Sequence, residues 1–227
     1  MIIVIPQVLN LDQVKQMRQH MDQANWQDGR NTAGTQAIGN KHNQQLDQDD
    51  PLTQQLADFI LAALARQPEF VAAALPLKIL PPMFNRYRQG ETYGLHVDNA
   101  IRLIPGSATR LRTDLSATLF LAEQNEYEGG ELEIEDQYDT QRIKLDAGDM
   151  VLYPSTSLHR ITPVTRGQRL AAFFWIQSMV RQHEQRQALY QLDNTIRSLT
   201  TDLGQDAKPV LDLTQVYHKL LRQLADT

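Results

Sequence analysis

The hydrophobic period of the chain changes near residue 77, and this change constrains the fold more than any other feature of the sequence. Before it, apolar residues recur every three or four positions, as they do on the buried face of an α-helix. From there to residue 177, short apolar runs are separated by turn-forming residues, which is the pattern of β-strands. The predicted strands are 80–88, 93–97, 115–121, 131–134, 142–145, 150–153, 159–161 and 169–176. Short strands with frequent turns predict an all-β sandwich or barrel.

The segments between these strands contain glycine. They are Gln89-Gly90, Pro105-Gly106, Gly129-Gly130, Ala147-Gly148-Asp149 and Arg166-Gly167. Glycine tolerates the positive φ angles that tight turns require, so each segment is predicted to be a turn. This explanation also covers the glycine pair at 129–130, which is too short a signal to indicate a phosphate-binding loop.

Helical periodicity flanks the β-region on both sides. After a β-like opening at 2–5, residues 10–75 are predicted to be mainly helical, with a loop or irregular hairpin at 28–50. Residues 178–227 return to helix in two segments. Their apolar stripes are Leu189, Leu192, Ile196 and Leu199, then Val216, Leu220, Leu221 and Leu224. Such a helical hairpin needs a partner surface, either the β-domain or a second subunit of a homodimer.

The chain is therefore predicted to be mainly β with flanking helices, an α+β protein. A length of 227 residues is enough for one sizeable core and an appendage. We predict one domain at 1–177, whose β core lies at about 78–178, and a C-terminal helical subdomain at 178–227.

Composition narrows the chemistry that is open to this chain. There is no cysteine, which excludes disulfides, thiolate zinc sites and iron–sulfur clusters, so any metal must be bound by His, Asp or Glu. The net charge of −5 disfavours nucleic-acid binding, and with it a nucleic-acid demethylase. No apolar run is long enough to cross a bilayer, and no signal peptide is recognisable, so we expect a cytoplasmic protein.

Three residues are candidate metal ligands. His96 and Asp98 lie two positions apart in a predicted strand, where their side chains point to the same side. His159 follows the segment Gly-Asp-Met-Val-Leu-Tyr-Pro, which is predicted to be a tight turn, a buried strand and a second turn. Two histidines and one carboxylate are the ligands of non-haem Fe(II) oxygenases, in which the remaining coordination positions stay open to substrate and O₂.

Arg169 lies ten residues after His159, in a segment that is apolar nearly throughout. A buried arginine needs an anionic partner, because an unpaired charge in a core costs several kcal/mol. One partner would be a dicarboxylate that pairs with Arg169 at one end and chelates the metal through a 2-oxo acid at the other. The alternative is a structural salt bridge to an acid elsewhere, such as Asp114 or Glu133.

With these residues in place, the sequence resembles the 2-oxoglutarate/Fe(II) dioxygenases and, more specifically, the bacterial PKHD-type hydroxylases. The matching segments are Asn-Arg-Tyr-Arg-Gln-Gly-Glu-Thr-Tyr-Gly-Leu-His-Val-Asp-Asn, Glu-Gly-Gly-Glu-Leu, Gly-Asp-Met-Val-Leu-Tyr-Pro-Ser-Thr-Ser-Leu-His-Arg-Ile-Thr-Pro-Val and Gly-Gln-Arg. The match to the wider superfamily covers about residues 78–178. The flanking helices also fit the PKHD-type layout.

The resemblance implies a double-stranded β-helix, or jelly-roll, fold with Fe(2+) at His96, Asp98 and His159 and 2-oxoglutarate at Arg169. It places Tyr87 beside the 2-oxoglutarate carboxylate and suggests L-ascorbate as an auxiliary reductant. The implied activity is O₂-dependent hydroxylation with release of succinate and CO₂. The substrate would be a protein side chain or a small molecule, such as an iron-uptake metabolite. Asp98 favours hydroxylation over halogenation, because a halogenase leaves this coordination position free for halide.

Two questions stay open at this point. A non-catalytic metal-binding or sensing jelly roll would keep the three ligands without needing Arg169. The loop arginines Arg86, Arg88, Arg102, Arg110 and Arg112 could meet an acidic substrate at the pocket mouth, although solvated surface arginines are the simpler interpretation. Substrate choice is expected to depend on the loops at 28–50 and 99–113.

Overall fold

The computed structural model describes residues 1–32, 38–135 and 139–226. Within them the helices are α1 (Leu11–Gln23), α2 (Pro51–Leu64), α3 (Pro68–Ala74), α4 (His183–Leu203) and α5 (Lys208–Leu224). The strands are β1 (Ile3–Ile5), β2 (Trp26–Asp28), β3 (Lys41–His42), β4 (Gln44–Leu46), β5 (Pro76–Ile79), β6 (Met83–Arg88), β7 (Thr92–His96), β8 (Ile101–Leu103), β9 (Arg110–Arg112), β10 (Leu115–Phe120), β11 (Tyr127–Gly129), β12 (Leu132–Glu135), β13 (Thr140–Ile143), β14 (Met150–Pro154), β15 (His159–Ile161) and β16 (Val164–Ser178).

The strands form two main antiparallel sheets and one separate hairpin. The larger sheet has the order β1-β14-β10-β16-β6-β4-β2, and β11 and β5 also pair with β16. The smaller sheet has the order β13-β12-β15-β7-β3, and β8 pairs only with β9. Because strands from both sheets line one cavity, the fold brings distant parts of the sequence together there.

The N-terminal helices form where the sequence supplies caps and apolar faces. Asn10 and Gln13 form a capping box at the start of α1, and Asp50 caps α2 just before a proline. Val14, Met17 and Met21 of α1 are buried in the main core, as are Leu56, Ile60 and Leu64 of α2. Leu11 and Phe59 lie outside these buried faces and are 63% and 39% exposed.

The C-terminal hairpin packs mainly on the rest of its own chain. Leu189 of α4 is buried with Leu75 and Val180, and Tyr217, Leu221 and Leu224 of α5 pack against this cluster. Leu189 and Leu221 therefore behave as predicted, whereas Val216 and Leu220 are 43% and 38% exposed. Within the described residues, no helix combines the length and apolar content that a bilayer-spanning segment requires.

Each of the eight predicted strands exists, but one predicted turn was wrong. The strand expected at 80–88 begins at Met83, because Pro81 and Pro82 have no N–H to donate to a neighbouring strand. Arg166-Gly167 is not a turn between strands: β16 runs through it, and Gly167 adopts a φ of +72° within that strand.

The segment at 28–50 was predicted as a loop or irregular hairpin, and the hairpin is confirmed by the antiparallel pairing of β2 with β4. Within it, β3 joins the smaller sheet and β4 also pairs with β6 in the larger one. Residues 33–37 of this segment lie outside the described part of the chain. The turn at Gly129 and Gly130 has the predicted positive φ, +68° and +66°.

Candidate active site

The structure brings His96, Asp98 and His159 together, and their potential ligand atoms all lie within 4.8 Å of one another. His96 is the last residue of β7 and His159 the first of β15, and the two are directly paired across these strands. Asp98 lies two residues beyond the end of β7, and its Oδ2 is 3.8 Å from His159 Nε2. Strand pairing therefore explains how residues that lie far apart in sequence form one cluster.

Both imidazoles are oriented in the same way by backbone carbonyl groups. His96 Nδ1 is 2.8 Å from the oxygen of Gly94, and His159 Nδ1 is 3.0 Å from the oxygen of Ser157. A carbonyl oxygen only accepts, so each Nδ1 carries the hydrogen and each Nε2 keeps its lone pair. This is the arrangement in which a second partner fixes the tautomer of a metal-binding histidine.

The carboxylate of Asp98 is held by a chain of two buried serines. Ser116 Oγ on β10 donates to Asp98 Oδ2 at 2.6 Å. Ser155 Oγ lies 2.8 Å from Ser116 Oγ and, since the hydrogen of Ser116 is engaged by the carboxylate, Ser155 is the donor. The aspartate side chain is 10% exposed, so these contacts fix its orientation in a nearly dry site.

Burial keeps His96 uncharged at neutral pH. Desolvation, followed by repulsion from His159, lowers the pKa of His96 to about 4. A neutral imidazole binds a metal directly, because no proton has to be displaced from it first. Two imidazoles, one carboxylate and no thiolate suit Fe(II), so the donor set fits the metal implied by the resemblance.

Arg169 lies in the larger sheet and is 1% exposed. Among the described residues it makes no salt bridge, and its three guanidinium nitrogens have no hydrogen-bond partner. The two acids considered as structural partners are paired elsewhere: Asp114 with Arg112 at 2.7 Å, and Glu133 with both Arg142 and Arg160. Within the described residues, the structure therefore gives Arg169 no acidic partner and does not support the salt-bridge alternative.

Tyr87 lies opposite Arg169, in the paired position on β6. The Arg169 guanidinium carbon is 5.6 Å from the Tyr87 ring centroid and 5.1 Å from that of Phe120. Burial raises the pKa of Tyr87 to about 12, an effect that the positive charge of Arg169 opposes. The phenol is thus a neutral hydrogen-bond donor beside the guanidinium.

One cavity of about 470 Å³ contains all of these groups. Its wall includes the three clustered residues, Tyr87 and Arg169, together with Phe173 and Trp175 on the same face of β16 as Arg169. The volume lies within the range of small-molecule sites, about 300–1,000 Å³. Of the five loop arginines, Arg102 lines this cavity, whereas Arg112 is held by Asp114.

Comparisons with known proteins agree with this geometry. A family model described as the 2OG-Fe(II) oxygenase superfamily matches residues 82–177, and one described as the PKHD-type hydroxylase C-terminal domain matches 183–226. A PKHD-type hydroxylase from Burkholderia lata is 55% identical over 226 residues, covering 100% of both chains. Another, from Acinetobacter baumannii, is 52% identical with the same coverage. The chain belongs to the PKHD-type hydroxylases.

Solved structures show the fold of this PKHD-type hydroxylase. A non-haem α-ketoglutarate-dependent carbocyclase from nogalamycin biosynthesis has a TM-score of 0.56 at 14% identity, covering 79% of this chain and 80% of that one. A prolyl hydroxylase from Trichoplax adhaerens has a TM-score of 0.53 at 14% identity, covering 83% and 86%. The predicted jelly-roll core is thereby confirmed.

Membership of the family also establishes the reaction class. The PKHD-type hydroxylase is an Fe(II)- and 2-oxoglutarate-dependent oxygenase, and it takes O₂ as its second cosubstrate. The alternative of a non-catalytic sensing jelly roll is not favoured, because such a protein would have no use for a buried, unpaired Arg169.

Sequence reasoning missed several residues of the cavity wall, among them Ser116 and Lys41. A signal for the first was present, because Ser116 and Thr118 alternate as polar residues in an otherwise apolar predicted strand, and both line the cavity. Lys41 carried no such signal, since it lies in a segment rich in Gly, Asn and Gln that was predicted as loop.

Proposed function

We propose that this enzyme binds Fe(II) through His96, Asp98 and His159 and 2-oxoglutarate through Arg169 and Tyr87. The proposal depends on one observation: a cluster of two imidazoles and a carboxylate shares a cavity with a buried arginine that pairs with no acid among the described residues. A dicarboxylate that reaches from this arginine to the metal satisfies both groups.

The ligands are preorganised before any metal binds. The two Nδ1–H groups donate to carbonyl oxygens, so both Nε2 atoms are directed at the metal position. Ser116 holds one oxygen of Asp98. Because these contacts fix rotamers and tautomers in advance, little conformational entropy is lost when the site loads.

Arg169 positions the cosubstrate. Its guanidinium fork binds the far carboxylate of 2-oxoglutarate, and the Tyr87 hydroxyl donates a further hydrogen bond to the same group. This leaves the 2-oxo acid end of the cosubstrate directed toward the three metal ligands. The buried wall of the cavity excludes water from the charged pair and so strengthens it.

The overall reaction converts a substrate C–H bond, 2-oxoglutarate and O₂ into C–OH, succinate and CO₂. Fe(II), when bound, supplies the redox chemistry that couples O₂ reduction to oxidation of the 2-oxo acid and the substrate. We propose that L-ascorbate keeps this iron reduced between turnovers. In that case repeated turnover slows without ascorbate while the first turnover does not.

Succinate formation from 2-oxoglutarate tests the proposal without knowledge of the primary substrate. The protein is purified anaerobically, loaded with Fe(II) and exposed to O₂, and slow uncoupled turnover is expected. His159→Ala should lose both iron and turnover, whereas Arg169→Ala should keep its iron and need far more 2-oxoglutarate. The proposal fails if wild type binds one iron per chain but neither binds nor consumes 2-oxoglutarate.

We further propose that the enzyme forms a homodimer through its C-terminal helices. Leu211, Val216 and Leu220 of α5 are 51%, 43% and 38% exposed, and pairing with a second copy would remove this apolar surface from water. Sedimentation should give twice the chain mass for wild type and the chain mass for Leu220→Glu. A monomeric wild type refutes the pairing.

We also propose that the enzyme works in the cytoplasm, where metabolism supplies 2-oxoglutarate. Cell fractionation followed by detection of the native chain tests this location.

A further inference from the structure

The cavity has a second group of positive charges besides Arg169. Lys41 on β3 is 3% exposed, Arg102 on β8 is half-buried, and both line the cavity wall. The two strands belong to different sheets, and β8 lies in the hairpin that follows the metal-ligand segment. These two cations are therefore held in one place by the fold and not by their own sequence neighbours.

Aromatic rings hold both cations. The Arg102 guanidinium carbon is 3.9 Å from the Trp175 ring centroid, and Lys41 Nζ is 5.9 Å from that of Phe173 and 5.2 Å from that of Tyr93. Phe173 and Trp175 are themselves in edge-to-face contact, with centroids 5.6 Å apart. The ring contact of Arg102 is made through the face of its guanidinium plane, so its N–H groups still point outward along that plane.

The charge of the cavity favours an anionic ligand at this position. Its wall has three cationic side chains, Lys41, Arg102 and Arg169, against the single carboxylate of Asp98. The lining is thus positive in a chain whose net charge is −5. Fe(II) and 2-oxoglutarate carry equal and opposite charges, so loading both of them leaves this excess unchanged.

In the proposed function, both carboxylates of bound 2-oxoglutarate are assigned to groups other than Arg102 and Lys41. In the proposed site, one carboxylate of 2-oxoglutarate pairs with Arg169 and the other belongs to the metal chelate. Asp98 is committed to the metal and to Ser116. Among the described residues, Arg102 makes no salt bridge. An anion that enters the cavity as primary substrate would meet both cations beside the apolar faces of Phe173 and Trp175.

We propose that the primary substrate is a small organic anion whose carboxylate or phosphate group is bound by Arg102 and Lys41. The cavity volume of about 470 Å³ favours a small molecule. Its apolar part lies against Phe173 and Trp175, and the carbon to be hydroxylated is directed toward the metal ligands. This inference rests on the proposed function, because it assigns the substrate class of the same site.

Three aromatic probes test it directly: benzoate, phenyl phosphate and neutral benzyl alcohol. Binding is measured by calorimetry on anaerobic protein loaded with Mn(II) and saturating 2-oxoglutarate, which keeps the probes out of the Arg169 pocket. The two anions should bind at least about tenfold more tightly than the alcohol, the size of one charge-assisted hydrogen bond. Whichever anion binds more tightly identifies the group as carboxylate or phosphate.

Variants assign the effect to these side chains. Arg102→Gln and Lys41→Met should each weaken anion binding about tenfold or more, and Arg102→Lys should recover part of the loss. Arg110→Gln is the matched control, because it removes the same charge from an exposed position in the same hairpin and should leave affinity unchanged. Melting temperatures verify that each variant is folded.

The inference is overturned if the alcohol binds as well as the anions, if Arg102→Gln keeps wild-type affinity, or if the anions displace 2-oxoglutarate. Succinate formation and iron content, measured on the same preparations, separate this failure from failure of the proposed function. An enzyme that consumes 2-oxoglutarate but shows no anion preference refutes the substrate class alone.

Discussion

Replacing Arg169 with methionine should stabilise the metal-free protein while abolishing tight binding of 2-oxoglutarate. Arg169 is 1% exposed and makes no salt bridge with any described residue. Replacing buried charges with apolar side chains of similar volume is often stabilising by about 1–4 kcal/mol. The contacts with the Tyr87 and Phe120 rings offset about 1 kcal/mol of that gain. We therefore expect a net gain of about 2 kcal/mol, or a melting temperature ~4–8 °C higher.

The binding side of the same prediction has the opposite sign. Removing one partner of a buried charge pair costs about 3–5 kcal/mol, so the Kd for 2-oxoglutarate should rise 100-fold or more. Denaturant unfolding of the metal-free protein and calorimetry with Mn(II) and 2-oxoglutarate measure the two effects separately.

Arg112→Met is the matched control. Arg112 is paired with Asp114, whose side chain is 7% exposed, so its loss should destabilise the fold and leave 2-oxoglutarate binding unchanged. If Arg169→Met instead destabilises the protein by about 2 kcal/mol or more and leaves the Kd within about threefold (an effect below 1 kcal/mol), Arg169 is structural and the reasoning is refuted.

Three further predictions concern other parts of the molecule. Ser116→Ala removes the hydrogen bond to the metal-ligand carboxylate and should weaken metal affinity about 10–100-fold. Ser157→Ala is the control and should leave metal affinity unchanged, since only the backbone carbonyl oxygen of Ser157 contacts a histidine. Equal metal affinities of the two variants would contradict this role of Ser116. Burial lowers the pKa of Lys41 to about 8 from 10.5, so the unfolded chain binds more protons between these pH values and stability should rise there by about 3 kcal/mol as pH increases. Unfolding titrations of Lys41→Met should lack that rise in stability. If the pH profile of the variant runs parallel to that of wild type, Lys41 is not the cause of the rise. Gly106→Ala should lower the free energy of unfolding by about 1 kcal/mol, because the φ of Gly106 is +72° and its surroundings are open. Gly148→Ala should lower it by about 1–3 kcal/mol more, since the added Cβ would lie 2.1 Å from a backbone oxygen. Equal losses for the two variants in thermal unfolding would show that the contact at Gly148 relaxes.

The metal cluster could be predicted from sequence because local rules determine most of it. His96 and Asp98 share a side of an extended segment, and His159 begins a short strand after a glycine turn. The direct pairing of β7 with β15 then places one histidine beside the other. Only the register of this pairing could not be predicted from the sequence, because it depends on the whole smaller sheet.

The partner of Arg169 could not be settled from sequence. Its burial followed from the apolar strand around it, but a salt bridge to Asp114 or Glu133 was equally consistent with that pattern. The structure shows that both acids are already paired: Glu133 with arginines of the two neighbouring strands, and Asp114 with Arg112 two residues earlier. Charge pairing between strands depends on register, which hydrophobic periodicity does not specify.

The cationic pair at Lys41 and Arg102 was the least predictable part of the site. Lys41 lies in a segment whose composition indicates a loop, and it reaches the cavity only because β3 pairs with β7. Gly167 likewise had the composition of a turn, but it adopts its positive φ inside β16, where a Cβ would lie 2.0 Å from the oxygen of Glu126. In both cases tertiary contacts override the local signal.

A crystal structure of the protein with Mn(II) and 2-oxoglutarate, grown without O₂, tests the central claim most directly. We predict the metal within coordination distance of His96 Nε2, His159 Nε2 and an Asp98 carboxylate oxygen, chelated by the 2-oxo acid, with the far carboxylate paired to Arg169. A metal bound away from these three side chains, or a cosubstrate whose carboxylate does not meet Arg169, would contradict the account.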